Sequence, residues 1–179
     1  KKIGNKILEV GHETVDFVIV ASGKNSASPH HEPSNKIIES GDVVVVDIGG
    51  TSHSGYCSDS TRTYTIGKPD KDFIQYYEIL KSAQESACQA VKKDFTGQQL
   101  DNVAREILEN NGLGKYFTHR TGHGIGLETH EEPYVVSTNK NRLVSGNAFS
   151  IEPGFYIENR FGARIEDIIV KKENGFIRC

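Results

Sequence analysis

The stretch Val43-Val-Val-Val-Asp47-Ile-Gly49, followed by Tyr56-Cys-Ser-Asp59-Ser-Thr-Arg62, decides how the first part of this chain folds. A continuous apolar run of this length predicts a strand that is buried on both faces. Asp47 ends that run, where a charged side chain is costly unless it is paired or bound to a metal ion. A second strand is predicted at Thr61–Ile66, so the two segments form an antiparallel hairpin with a loop at 49–58.

A second pair of carboxylates lies near the end of the chain, in Phe149-Ser-Ile-Glu152-Pro-Gly154 and Ala163-Arg-Ile-Glu166-Asp-Ile-Ile169. Strands are predicted there at 148–152, 154–157 and 165–171. Glu152 therefore ends a strand and Glu166 lies inside one. Because paired strands hold distant residues side by side, each hairpin can bring its two carboxylates to one point.

The segments between the carboxylates read as ordinary structural elements. Val15–Ala21 predicts a strand, and apolar residues at three- and four-residue steps predict a helix from Asp72 to about Lys93. Thr96-Gly-Gln-Gln99 has the form of a capping box and predicts the start of a second helix, which Asn111-Gly112 closes. We expect both helices to cover the core, and we assign them no chemistry.

The bulk properties exclude several classes of protein. The chain has 179 residues and a net charge of −3, from 21 basic and 24 acidic residues, so we expect no nucleic-acid partner. Its apolar runs have the length of strands, so we expect no membrane segment. Three cysteines without a CxxC spacing favour a reduced, cytoplasmic compartment. A start at Lys1 and the absence of methionine indicate one domain over residues 1–179, truncated at both ends.

The carboxylates point to metal chemistry. Four carboxylates that converge without cations repel one another, and some take up protons instead. His123, in Gly122-His-Gly-Ile-Gly126, is the best candidate for a nitrogen ligand, because glycines let the backbone approach closely. Such an oxygen-rich set suits Mn²⁺ or Co²⁺, with Zn²⁺ and Fe²⁺ as alternatives. Two ions about 3.5–4 Å apart can generate a nucleophile from water near neutral pH.

Each of these residues also has an ordinary interpretation. A lone acidic residue at a strand end is usually a turn former or faces solvent, although four of them in two hairpins favour a shared site. His130 and His30 are candidates for contacting a carbonyl oxygen or stabilising an oxyanion. A histidine in a loop is more often a solvated surface residue. The interpretation as a solvated surface residue has intermediate weight for His119 and the greatest weight for His12, His31 and His53.

From Phe17 to Lys171, these motifs closely resemble the pita-bread metallopeptidases, which include aminopeptidase P, prolidase and methionine aminopeptidase. The resemblance implies an α/β (α+β) chain with the pita-bread (creatinase/aminopeptidase) fold, two carboxylate-bearing antiparallel hairpins and covering helices. It implies two divalent metal ions, with Mn²⁺ favoured. Asp47 would bind one ion, and Asp59 and Glu166 would bridge both. His123 and Glu152 would bind the other ion.

The same resemblance implies further roles within the catalytic site. Glu152 would also act as the proton shuttle. His130 and His30 would contact the substrate and steady the tetrahedral intermediate. Arg164, two residues before the last ligand, would contact a carboxylate ligand.

The spacing of the last two ligands distinguishes branches of this family. Glu152 and Glu166 are fourteen positions apart, as in the proline-directed branch, whereas methionine aminopeptidases have a much longer insert. The expected activity is hydrolysis of the N-terminal Xaa-Pro bond of peptides or dipeptides. The alternatives are methionine aminopeptidase and a catalytically inactive binding module of the same fold. Proline-directed enzymes commonly carry an additional N-terminal domain that supports dimerisation, so a homodimer is one expected state.

Overall fold

The computed structural model describes residues 1–179, and its first sheet carries Asp47 and Asp59. This antiparallel sheet has the order β1 (His12–Ser22), β2 (Val43–Ser52) and β3 (Cys57–Thr65). The buried valines of β2 make it the central strand, as its apolar sequence predicted. A helix that was not predicted, α1 (Lys2–Glu9), precedes the sheet and buries Ile7.

The hairpin of the first sheet has longer strands than predicted. Residues 49–52 continue β2 and residues 57–60 belong to β3, so the predicted loop at 49–58 is wrong and only 53–56 turn the chain. The glycines have a packing role instead. A Cβ added to Gly49 would meet the Phe17 ring, and one added to Gly50 would meet the backbone of Thr14. The glycine-rich sequence therefore marks a close approach of β1 to β2 rather than a flexible loop.

Two helices follow the first sheet, and both agree with the prediction. They are α2 (Lys71–Ala90) and α3 (Gly97–Asn110). The capping box of α3 is present, because the Thr96 hydroxyl accepts from the Gln99 N–H and the Gln99 side chain accepts from the Thr96 N–H. Both helices bury one face in a hydrophobic core that contains 23 residues, among them Leu80, Leu100 and Leu108 with no exposed surface.

The remaining strands form a five-stranded antiparallel sheet and a separate hairpin. In chain order they are β4 (Gly122–Gly124), β5 (Glu131–Val135), β6 (Ala148–Ile151), β7 (Gly154–Ile157), β8 (Phe161–Arg164), β9 (Asp167–Lys172) and β10 (Gly175–Arg178). The larger sheet has the order β10-β9-β6-β4-β5, and β7 pairs only with β8. Residues 119–133, which are too rich in glycine for a helix, thus supply two strands of this sheet.

The last two glutamates flank the end of one ladder. The β6–β9 pairing stops at Ile151 opposite Asp167, so Glu152 and Glu166 lie just beyond it. The prediction that Glu166 lies inside a strand over 165–171 is therefore wrong. Pro153 has no N–H to continue the ladder, and the chain turns there into the β7–β8 hairpin.

No helix combines the length and the apolar character needed to cross a bilayer.

Candidate metal centre and substrate cavity

Asp47 and Asp59 project from the same face of the first sheet. Asp47 pairs with Thr61 across the β2–β3 ladder, and Asp59 pairs with Gly49. Because side chains alternate between faces along a strand, both carboxylates lie on one side and are diagonal neighbours. Their side chains are only 10% and 6% exposed. The Phe17 ring occupies the space that a side chain at Gly49 would need.

Side chains of β3 tie this face to the second pair of carboxylates. The Glu166 N–H donates to the Thr61 carbonyl at 3.1 Å, and the Thr61 hydroxyl donates to Glu166 Oε2 at 2.7 Å. The Thr63 hydroxyl accepts from the Arg164 N–H at 3.1 Å and donates to the Arg164 carbonyl at 2.8 Å. These bonds place Glu166 against the face that carries the aspartates.

The five predicted ligands meet in overlapping groups whose ligand atoms lie within 4.8 Å of one another. One group contains Asp47, Asp59 and Glu166. A second contains His123, Glu152 and Glu166. His130 joins Asp59 and His123 in a third. Because Glu166 belongs to the first two groups, the arrangement fits two neighbouring cations that share a carboxylate.

Two buried oxygens in the cluster lack any hydrogen-bond partner, namely Asp47 Oδ1 and Glu166 Oε1. An unsatisfied buried polar atom costs about 1–3 kcal/mol, and more when it is charged. Burial and the negative charges of Asp47 and Glu152 raise the pKa of Asp59 from its ordinary 3.8 to about 7. Burial and the same kind of repulsion raise the pKa of Glu166 well above its usual range. Divalent cations would satisfy the free oxygens and remove this repulsion, so the residues present fit a metal centre.

His123 is held in the orientation of a metal ligand. Its Nδ1 lies 3.0 Å from the Gly124 carbonyl, to which it donates, so Nε2 faces the carboxylates. Nε2 lies 3.1 Å from Glu152 Oε1 and 3.7 Å from Asp59 Oδ2. The Ser150 hydroxyl accepts from the His123 N–H at 3.0 Å and donates to Glu152 Oε1 at 3.0 Å. The Ser150 hydroxyl thus links the backbone of His123 to the carboxylate of Glu152.

Arg164 is buried and contacts carboxylates from both halves of the cluster. Its guanidinium donates to Asp47 Oδ2, and its Nε lies 3.9 Å from Glu152 Oε2. Nε also donates to the Thr61 hydroxyl at 3.1 Å. Asp47, which otherwise carries an uncompensated charge, therefore has a guanidinium partner on one oxygen and a free second oxygen.

A hydrogen-bond chain continues from Arg164 to the edge of the cavity. Arg164 Nη1 donates to the Tyr156 hydroxyl at 2.8 Å, and that hydroxyl lies 2.9 Å from His119 Nε2. His119 Nδ1 donates to the Arg120 carbonyl at 2.8 Å, so Nε2 accepts from the tyrosine. Burial raises the pKa of Tyr156 to about 12, which keeps the phenol protonated as that donor. The sequence contained no signal for Tyr156 or Thr61, since both act through distant partners.

The cluster opens into a cavity of about 570 Å³. His30 and His130, the two predicted substrate contacts, line it together with His119, Arg120 and the apolar Phe17 and Ile19. The His130 ring meets the His123 ring edge to face, with centroids 4.2 Å apart. His12, His31 and His53 do not line the cavity. His12 is not the solvated residue that was expected, because its Nδ1 is buried and its Nε2 lies 2.8 Å from the Ser58 hydroxyl.

This arrangement of buried carboxylates around one oriented imidazole, at the floor of a cavity, is that of a metallohydrolase. The sequence profile of metallopeptidase family M24 matches residues 2–173, and the chain belongs to this family. The resemblance inferred from the motifs is confirmed.

Several relatives and solved structures are similar to the chain. An Xaa-Pro dipeptidase of Lactobacillus delbrueckii subsp. lactis is 42% identical over 175 residues, which are 98% of this chain and 46% of that protein. The crystal structure of dipeptidase PepE from Mycobacterium ulcerans is 54% identical, with a TM-score of 0.96 over 99% of this chain and 48% of that one. A recombinant prolidase from Thermococcus sibiricus is 46% identical, with a TM-score of 0.95 over 99% of this chain and 48% of that one.

These similarities confirm the predicted pita-bread fold, in which covering helices flank the carboxylate-bearing strands. The chain spans about half the length of the relatives it matches.

Proposed function

We propose that the protein containing this chain is a metal-dependent exopeptidase that hydrolyses the N-terminal Xaa-Pro bond of peptides or dipeptides. The observation that carries this proposal is the meeting of five predicted ligands at the floor of a single cavity. They come from the β2–β3 hairpin, from β4 and from the end of the β6–β9 ladder. Relatives named Xaa-Pro dipeptidase and prolidase, at 42–46% identity, support the choice of substrate.

The metal centre would hold two divalent ions. Asp47 would hold one ion, His123 and Glu152 would hold the other, and Asp59 and Glu166 would be shared by both. Mn²⁺ is the proposed metal, and Co²⁺, Zn²⁺ and Fe²⁺ are the alternatives, because oxygen-rich ligands with a single imidazole bind all four. When bound, the ions supply Lewis acidity and lower the pKa of a coordinated water.

Glu152 is proposed as the proton shuttle. Burial favours its protonated form, but the hydrogen bond from His123 and the positive charges around it hold the pKa of Glu152 below its ordinary value. Glu152 is therefore a carboxylate at neutral pH, as a general base must be. It would take a proton from the attacking water and deliver it to the proline nitrogen as the bond to the N-terminal residue breaks.

His130 and His30 are proposed to contact the substrate. Burial and the neighbouring charge of His123 lower the pKa of His130, so its imidazole is neutral near pH 7 and carries one N–H. A neutral donor at this wall of the cavity can stabilise the oxyanion of the tetrahedral intermediate. His30 faces the same space from the loop that follows β1.

Peptide hydrolysis tests the proposal directly. The full-length protein is given matched peptides with and without proline in second place, including an Xaa-Pro dipeptide, with added Mn²⁺ or with chelator. We expect cleavage only of the peptides that have proline in second place, and only when metal is present. The shortest substrate accepted separates prolidase from aminopeptidase P. Equal cleavage of peptides with and without proline, or cleavage in the presence of chelator, would contradict the proposal.

The two alternatives predict different results. A methionine aminopeptidase would cleave after an N-terminal methionine without proline, and the fourteen-residue spacing of Glu152 and Glu166 disfavours it. A non-catalytic binding module would not hold two metal ions per chain. Four expectations stay predictions: the homodimer, the cytoplasmic location, the lack of nucleic-acid and membrane partners, and the single truncated domain over 1–179.

A further inference from the structure

Asp101 is a fully buried carboxylate on α3, a helix for which the sequence predicted no chemistry. It does not line the cavity and belongs to none of the groups that fit a metal ion. A buried charge of this kind is costly unless every lone pair finds a partner. The partners of Asp101 therefore indicate why a helix of the core contains an acidic residue.

One set of partners comes from the same helix. Arg105 donates to both oxygens of Asp101, from Nε at 2.8 Å and from Nη2 at 2.9 Å. The same guanidinium also has N–H groups that point toward the backbone that precedes β4. It donates to the Phe117 carbonyl at 3.3 Å and to the His119 carbonyl at 3.1 Å, and it stacks over the Phe117 ring. Asp101 thus fixes an arginine that holds residues 117–119.

The other partner is Thr121, which has no exposed surface. Its hydroxyl donates to Asp101 Oδ1 at 2.6 Å, and its N–H donates to the same oxygen at 3.2 Å. The Thr121 carbonyl in turn accepts the Glu152 N–H at 2.8 Å. Since Thr121 also lies two residues before His123, one threonine connects α3 to two of the proposed ligands.

The backbone between Thr121 and His123 has little freedom to absorb a shift. A Cβ added to Gly122 would overlap the Ser150 carbonyl, so β4 and β6 are in direct contact at this point. Ser150 also supplies the hydroxyl that binds both His123 and Glu152. A displacement of Thr121 therefore moves the imidazole and the carboxylate relative to Asp59 and Glu166.

We propose that Asp101 is a positioning residue for the His123–Glu152 half of the metal centre and that it acts through the Thr121 hydroxyl and backbone. The inference rests on the proposed metal site and adds a residue outside the cavity to it. A role limited to helix packing would affect the stability of the protein and leave its affinity for metal unchanged.

Thr121→Val is the main test, because it removes the hydroxyl and keeps the shape of the side chain. Thr121→Ser keeps the hydroxyl and is the matched control. Leu108→Ala, on the same helix, is the control for lost packing. Binding of Mn²⁺ to each full-length variant is measured by calorimetry, together with unfolding in urea with chelator present. Amide hydrogen exchange of residues 119–124 and 150–152 in the metal-free protein supplies a readout that does not depend on metal.

Thr121→Val is expected to weaken Mn²⁺ binding by about 10- to 100-fold, as other changes around metal ligands do. It is also expected to speed exchange at both segments. Thr121→Ser should restore affinity to within about threefold of the wild type. Leu108→Ala should lower stability with no change in affinity. Folded Asp101→Asn should show the same loss of Mn²⁺ affinity and the same faster exchange as Thr121→Val.

Two outcomes would overturn the inference in different ways. If the wild type binds two ions and Thr121→Val binds them equally well, Asp101 has no positioning role and the proposed function stands. If Leu108→Ala weakens binding as much as Thr121→Val at equal loss of stability, the effect comes from general destabilisation. A wild type that binds no metal would instead refute the proposed function.

Discussion

Arg164 donates a hydrogen bond to Asp47 across 117 positions of the sequence, and both side chains are buried. This contact joins the two halves of the candidate metal centre. It neutralises one oxygen of Asp47 and leaves the other, Oδ1, without a partner. The guanidinium thus compensates part of the negative charge of the cluster while a ligand atom stays free.

Replacing Arg164 with lysine should reduce the activity without unfolding the protein. Lysine keeps the charge but lacks the planar fork that reaches Asp47, Thr61 and Tyr156 together. We expect kcat/KM to fall by about 10- to 100-fold, with weaker binding of Mn²⁺. Peptide hydrolysis and calorimetry provide the two readouts. Arg142→Lys, at an exposed ion pair, is the control and should behave as the wild type.

The proposed bridging ligands should be indispensable. Asp59→Ala and Glu166→Ala should each abolish stable binding of the metal pair and turnover, because both ions lose a shared carboxylate. Metal content per chain and hydrolysis of an Xaa-Pro dipeptide measure the two effects. Glu173→Ala changes a surface glutamate and should leave both unchanged. Full activity of either ligand variant would be incompatible with the proposed centre.

The ionisation of Asp59 should cost the metal-free protein stability as the pH rises from about 4 to 7. The pKa of Asp59 is about 7 in the folded chain and 3.8 ordinarily, so the folded state binds more protons in this window. The raised pKa values of Glu166 and His123 act in the same direction. The lowered pKa values of Glu152 and His130 act in the opposite direction, so the contribution of Asp59 is measured against a variant that lacks its charge. A pKa shift of this size for Asp59 corresponds to a change of at most about 4 kcal/mol in the free energy of unfolding.

Urea unfolding with chelator at pH 5 and pH 7.5 measures this dependence. Asp59→Asn, which cannot ionise, should flatten the profile. With saturating Mn²⁺ the trend should reverse, because the metal binds the deprotonated ligands and its affinity rises with pH. An equal change in stability between pH 5 and pH 7.5 in the wild type and in Asp59→Asn would contradict the assigned electrostatics.

The capping box of α3 should contribute to stability alone. Thr96→Ala removes the acceptor for the Gln99 N–H and should lower the free energy of unfolding by about 1 kcal/mol. Thr96→Ser retains the hydroxyl and should recover most of the loss. Metal affinity should be the same in all three proteins, since Thr96 contacts none of the ligands. Thermal or urea unfolding gives the first value and calorimetry the second.

The helices and the central strand could be predicted because their signals are local. The repeat of apolar residues in α2 and the Thr96–Gln99 box of α3 depend on neighbours within one or two turns. The glycines at 49 and 50 led to a wrong prediction of a loop, because the signal that explains them is not local. Their composition resembles a loop, whereas the need for glycine comes from Phe17 and Thr14, which lie on another strand.

The strands β4, β5, β8 and β10 and the helix α1 were not predicted. The four strands have at most five residues each and no clear alternation, so their conformation depends on the strands that they pair with. Helix α1 does place Ile3 and Ile7 four positions apart, but its eight residues are too few for that spacing to stand out. The position of Glu166 was missed for a similar reason. Its segment is apolar enough for a continuous strand, but the chain leaves the ladder after Ile151 and rejoins it at Asp167.

The sequence by itself determined the family, the order of the five proposed ligands and the covering helices, because these depend on residue type and on spacing along the chain. Only the tertiary structure decided which groups support them. Thr61 meets Glu166 across 105 positions, and Asp101 meets Thr121 from a helix of the core. Such contacts arise from the packing of one sheet against another and of a helix against a strand, and no local pattern of residues encodes them.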